Sequence, residues 1–181
     1  MRKARSNASH FASSQSRLAR RCLLLTVTAV ATMTNAGSNA NDADQSSLVG
    51  TWKFISYLRS EPETGKNTNI MGEAPKGYLI YTREGRMMVI VVADNNKAPE
   101  ADEDRITLHK HMVAYSGRYT VTGGQVVHHV DVAWNPAWMG TDLVRSFKRE
   151  GDRLTITTAP TRYGIDNVQQ VSTLTLQRVD N

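Results

Sequence analysis

His128 and Arg145 are the side chains of this sequence best placed to do chemistry. Along Gln125–Trp134, alternation puts Val126, His128, Val130, Val132 and Trp134 on one face of a strand and His129 and Asp131 on the other. In the next segment Leu143, Arg145 and Phe147 share a face. Both polar residues therefore stand among apolar neighbours and point to an interior. An unpaired buried guanidinium costs several kcal/mol, so Arg145 requires a partner. Two readings follow. The pair anchors an acidic or carbonyl-bearing ligand, or it is a self-satisfied polar pair that fills the core. In a catalytic version of the first, His128 acts as general base or acid and Arg145 stabilises an enolate-type oxyanion. Tyr78, Tyr81, Tyr115 and Tyr119 combine an apolar body with a hydroxyl and suit pocket walls. Trp138, with Trp134 and Met139, surrounds the Pro136 break, either as a loop over a cavity mouth or as a cluster sealing an edge.

Other chemistries lack their residues. His109 and His111 fall on a predicted helix, where such a pair diverges by about 200°. His128 and His129 face opposite sides of a strand, so no three ligands converge and no metal is expected. There is no Gly-x-Ser-x-Gly elbow, phosphate-binding glycine loop or dinucleotide fingerprint, and no cofactor is expected.

The N-terminus reads as a targeting segment. Residues 1–21 carry Arg2, Lys3, Arg5, Arg17, Arg20 and Arg21 without an acid, and an apolar run from Cys22 to Met33 leads to Thr34-Asn35-Ala36. This is the pattern of a secretory signal peptide over residues 1–36. The run is shorter than the roughly 20 residues a spanning helix needs. Arg20-Arg21-Cys22-Leu23-Leu24 also fits a twin-arginine motif. The expected destination is the periplasm or the exterior. The chain has 22 basic and 17 acidic residues, a net charge of +5. Residues 1–36 hold six of the basic residues and none of the acidic, leaving 16 against 17 and a charge of −1. The basic character belongs to the targeting segment and supports no nucleic-acid partner. Cys22 is the only cysteine, so cleavage leaves neither a disulfide nor a thiolate nucleophile.

The elements that must position His128 and Arg145 read as strands. Residues 37–46 are a polar, flexible leader, and the domain runs over 47–181. A first strand runs from about Leu48 to Tyr57, with a short strand possible over Asn67–Gly72. A hairpin pairs Tyr78–Thr82 with Arg86–Ala93. The second arm of that hairpin is apolar on both faces and calls for a cover. Glu100–Tyr115 is the one predicted helix, with Leu108, Met112 and Tyr115 at i, i+4 and i+7, and would cover that strand or a barrel mouth. Strands follow over Arg118–Thr122, Gln125–Trp134, Asp142–Arg149, Arg153–Thr158 and Val168–Val179, with a loop over Pro160–Gly164. Eight or nine short strands imply an antiparallel sandwich or barrel. Gly50 and Trp52 open the first strand and Arg178 ends the last. If the ends meet, the guanidinium covers the indole and the sheet is closed; otherwise Trp52 is plain core.

The combined pattern resembles the lipocalin-like domain family of small calycin-type β-barrels. The residues that carry the resemblance are Leu48–Lys53, Pro75–Thr82 with Gly85-Arg86-Met87, Tyr115–Tyr119, His128-His129-Val130, and Pro136–Asp142 leading to Arg145. Gly50, Trp52 and Arg178 look like the Gly-x-Trp and terminal-strand arginine of lipocalins. The resemblance implies an all-β closed antiparallel barrel of about eight or nine strands with one short helix. It implies a small hydrophobic molecule as partner, while charge and the length of the apolar runs give no expectation of nucleic acid or a membrane span. His128, Arg145, Tyr78, Tyr81, Tyr115, Tyr119 and Trp138 are then the candidate ligand-binding residues. A binding protein is the favoured expectation. The alternatives are a cofactor-independent isomerase, cyclase or lyase in the same cavity, and an accessory envelope protein whose barrel is filled by its own side chains.

Overall fold

A computed structural model describes residues 44–163 and 168–179. The expected signal peptide of residues 1–36 and most of the expected leader lie outside the described residues. The elements in chain order are β1 (Gly50–Glu61), β2 (Lys66–Asn69), β3 (Lys76–Tyr81), β4 (Arg86–Val92), α1 (Asp102–Lys110), β5 (Met112–Thr122), β6 (Gln125–Ala133), a 3₁₀ turn (Pro136–Trp138), β7 (Asp142–Glu150), β8 (Arg153–Thr158), β9 (Thr161–Tyr163) and β10 (Val168–Arg178). Eight of the strands, in the order β1-β3-β4-β5-β6-β7-β8-β10, form an antiparallel barrel closed by β1 against β10. Strand β2 extends the end of β1, and β9 the start of β10. Closure pairs the first and last barrel strands with each other, so the unpaired edges are confined to the short β2 and β9.

The closing seam is built around Trp52, which is fully buried and directly opposite Arg178. The Arg178 guanidinium lies 5.2 Å from the indole centroid, and its Nη2 donates to the Val49 carbonyl at 2.8 Å. Gly50 has φ +143°, and a Cβ there would come within 2.9 Å of Arg178 Nη2. Only a residue without a side chain combines that backbone with that approach. A second guanidinium, Arg149, lies 5.7 Å from the same ring and donates to the Ser47 carbonyl at 3.0 Å. Residues 44–48, expected as the end of a flexible leader and the start of β1, form a helical turn. Leu48 is buried, and its carbonyl accepts from Trp52 Nε1 at 2.7 Å. This turn plugs the end of the barrel nearest Trp52.

Alternation holds along most strands. Leu79 and Tyr81 of β3, Met87, Val89 and Val91 of β4, Leu154 and Ile156 of β8, and Leu176 of β10 all point inward and are buried. Two bulges change which side chains follow. On β1 Ile55 is the extra residue between the Phe54–Leu176 and Ser56–Thr175 pairs, so Tyr57 and Arg59, rather than Ser56 and Leu58, turn to the cavity. On β6 Asp131 is the extra residue between the Ser116–Val132 and Gly117–Val130 pairs. The expectation that Val132 shares the inner face with His128 is therefore corrected: Val132 is 56% exposed. An inserted residue reverses the two-residue period of a strand.

The predicted helix also changes. It covers Asp102–Lys110 and stops where His111 N–H bonds the Thr107 carbonyl at 2.9 Å. Met112–Tyr115 instead extend β5 and complete the ladder with Val89–Val92. Backbone pairing along a buried strand outweighs a weak helical period. The acidic first turn is present, and Asp104 Oδ2 accepts from the backbone N–H groups of Glu100 and Ala101, both at 3.0 Å. The helix buries no residue and does not cover β4, whose outward Met88 and Ile90 are 53% and 47% exposed. Its C-terminal end reaches the mouth of the barrel, where the His109 carbonyl accepts from Trp134 Nε1 at 3.2 Å.

Candidate functional site

The barrel is filled at one end and open at the other. Beneath the opening lies a cavity of about 750 Å³. Its walls include Tyr57, Met112, Trp134, Trp138, Leu143 and Arg145. The 3₁₀ turn places Trp138 at the rim, because the Asn135 side chain accepts from Ala137 N–H and Pro136 starts the turn. There Trp138 meets Trp134 edge-on, with centroids 4.7 Å apart, and Tyr115 at 5.7 Å. A second, inner pocket of about 20 Å³ adjoins the cavity and shares Tyr57, Val113, Trp138, Arg145 and Thr158 with it. Phe54, Val89, Val91, Tyr115 and Leu174 complete its lining.

Arg145 stands at the junction of the two spaces. It projects inward between Leu143 and Phe147, as the alternation of β7 dictates. Its Nη1 donates to the Val144 carbonyl at 3.2 Å. Among the described residues no carboxylate is paired with it, nor with Arg59 or Lys110, which also line the cavity. Against these three cations the wall carries one acid, Asp142, which bonds His129 Nδ1 at 2.7 Å. The cavity is thus apolar over its aromatic walls and carries an excess of positive charge, with Arg145 the one cation that also reaches the inner pocket.

His128 is 2% exposed and lies below both spaces, among the lining residues of neither. Its Nε2 is 2.7 Å from the Tyr81 hydroxyl and its Nδ1 2.9 Å from the Tyr115 hydroxyl. Burial, then the positive charge of Arg145, pushes its pKa down to about 3, so the ring is neutral. His128 was expected to touch a ligand; in the structure it borders neither space. The β3 and β5 tyrosines close over both ring nitrogens. Burial likewise pushes the Tyr115 hydroxyl up to about 12, although the Arg145 charge beside it pulls the other way. Tyr81 is raised well above its usual value by burial, and the charge of Tyr115 adds to the shift.

The remaining tyrosines part company. Tyr119 packs edge-on against Tyr81 at 4.7 Å and donates to the Thr82 carbonyl at 2.9 Å, deep in the filled end. Tyr78 faces outward from β3 and is 44% exposed. Neither lines the cavity, and Tyr81 does not either. Tyr115, Trp138 and Arg145 are the predicted residues that border these spaces. Sequence reasoning missed Tyr57, Arg59 and Lys110. A β-bulge turns the first two inward, and the helix end places the third.

A closed eight-stranded barrel with one plugged end and an aromatic-walled cavity at the other is a small-molecule-binding architecture. The chain belongs to the lipocalin-like domain family, which its residues 49–179 match. It is 31% identical over 86 residues to a 4'-hydroxy-3'-methoxypropiophenone carrier protein of Aspergillus oryzae, spanning 43% of this chain and 77% of the relative. Among solved structures it is similar to a lipocalin-like protein from Bacteroides uniformis, at 9% identity and a TM-score of 0.40, covering 74% of this chain and 99% of the other. Among the described residues no helix is long and apolar enough to cross a membrane.

Proposed function

We propose that this protein binds and carries a small, mostly apolar molecule in the mouth cavity, with one polar or acidic group turned towards Arg145. The observation that carries the reading is the cavity itself. Its 750 Å³ lies within the range of roughly 300–1,000 Å³ that small-ligand sites occupy. Aromatic walls offer burial to an apolar body, and Arg145 offers an unpaired positive charge. The Aspergillus relative, a carrier named for an aryl ketone, supports cargo of that class: an aromatic ring with a short acyl chain. The targeting pattern of residues 1–36 supports export to the periplasm or the exterior, with carriage taking place there.

The test has two parts. Native mass spectrometry of the protein purified from its own host should show a small molecule bound at one per chain. Titration with 4'-hydroxy-3'-methoxypropiophenone should quench the fluorescence of Trp134 and Trp138, and Arg145→Met should weaken the binding. No retained molecule together with no quenching would refute the carrier reading. Quenching that Arg145→Met leaves untouched would place the polar group elsewhere.

A further inference from the structure

We infer that the Tyr81–His128–Tyr115 chain is polarised in one direction and presents the Tyr115 O–H, beside Arg145, as the donor that binds a carbonyl oxygen in the inner pocket. The inference rests on the cavity-binding reading and names the chemistry the site selects: a bulky apolar ketone or aldehyde.

The direction follows from counting protons. A neutral imidazole has one N–H and one bare nitrogen. Of the two tyrosines that meet the His128 ring, one therefore donates to it and the other accepts from it. The tyrosine that accepts must send its own O–H elsewhere. Tyr81 is 1% exposed, and among the described residues its hydroxyl has no partner except His128. An orphaned O–H there would cost roughly ten- to a hundredfold in population. Tyr115 borders the inner pocket with Arg145, and the Arg145 guanidinium, which can only donate, hydrogen-bonds the Tyr115 oxygen without taking up its O–H. Tyr81 therefore donates to Nε2, Nδ1–H donates to Tyr115, and the Tyr115 O–H is left for the pocket.

Volume then selects the acceptor. The inner pocket, at about 20 Å³, is the narrow end of the site, whereas the adjoining cavity takes a ring system. A carbonyl oxygen, a single small acceptor carried on an apolar body, suits that division. His128 is accordingly a positioning residue. It holds the Tyr115 oxygen and keeps that hydroxyl turned away from itself.

Long-range ¹H–¹⁵N correlation spectra of the ligand-free protein test the direction. His128 should show a protonated Nδ1 and a bare Nε2. The opposite tautomer or an imidazolium at neutral pH would overturn the inference, whatever the cavity binds. Calorimetric titration with 2-acetonaphthone and 2-ethylnaphthalene, alike except for the carbonyl oxygen, tests the selection. Tyr115→Phe should weaken 2-acetonaphthone binding by about 2- to 10-fold and leave 2-ethylnaphthalene unchanged. Tyr81→Phe, remote from the ligand, frees the ring to take either tautomer and should lower the same preference. If both naphthalenes bind and Tyr115→Phe changes neither, the hydrogen bond is wrong and the cavity stands. If neither binds the wild type, the selection of a bulky apolar ketone is overturned, the carrier reading is decided by the mass spectrometry and quenching above, and the tautomer by the spectra.

Discussion

Acid should unfold this protein through His128. Its pKa is near 6.5 in an unfolded chain and about 3 in the barrel, where burial excludes the charged ring. Between those values the unfolded chain binds a proton that the folded one refuses, so stability falls as pH falls. The contribution is fully present above pH 6.5 and is lost on descent towards pH 3. Each unit of pH in that window removes about 1.4 kcal/mol. From pH 6.5 to 4.5 the loss is roughly 2–3 kcal/mol, a large share of the 5–15 kcal/mol that typically holds a domain together. Urea denaturation followed by tryptophan fluorescence across that range gives the slope directly. His128→Gln has no proton to gain at this position and should flatten it, while exposed carboxylates contribute equally to both proteins. Parallel slopes in wild type and variant would refute the reasoning. Should the variant fold poorly, the His128 ring resonances of the wild type decide instead, because they should show no protonation down to pH 4.5.

Other substitutions probe the seam, the core and the walls. Gly50→Ala should cost about 1–3 kcal/mol in chemical denaturation, since φ of +143° is strained for alanine and the new Cβ meets Arg178 at 2.9 Å. Leu176→Ala, in a fully buried position, should cost roughly 2–5 kcal/mol by the same measurement. Arg149→Ala should cost about 0.5–2 kcal/mol if its guanidinium contributes to holding Trp52, and no change in the midpoint would make that contact incidental. Tyr78→Ser, on the outer face, should leave ligand affinity unchanged in a fluorescence titration, whereas Trp138→Ala should weaken it.

The alternation of apolar residues was enough to place His128 inside and His129 outside, and to send Leu143, Arg145 and Phe147 inward together. Side-chain period is a local property of an extended strand, so it is legible wherever the strand is regular. It failed where the strand was not. Asp131 and Ile55 carry no mark that makes them extra residues, yet each reverses the parity beyond it. That reversal exposes Val132 and brings Tyr57 and Arg59 into the cavity. The helix failed for a related reason: Met112 and Tyr115 satisfy a helical spacing, but the partner strand that claims them is 20 or more residues away in the chain. The outward Met88 and Ile90 show the same limit, because an apolar face does not say what covers it.

Residue order alone established the all-β character, the order of most strands, the closing pair of Trp52 and Arg178 as a candidate, and the inward direction of His128 and Arg145. Those follow from period, turn residues and charge, which neighbours along the chain decide. Only the folded barrel settled that His128 is sealed between Tyr81 and Tyr115 while Arg145 reaches open space. The distinction depends on depth below the mouth and on which tyrosines arrive from β3 and β5. Depth and arrival are set by closure and register across the sheet, and no stretch of sequence contains them.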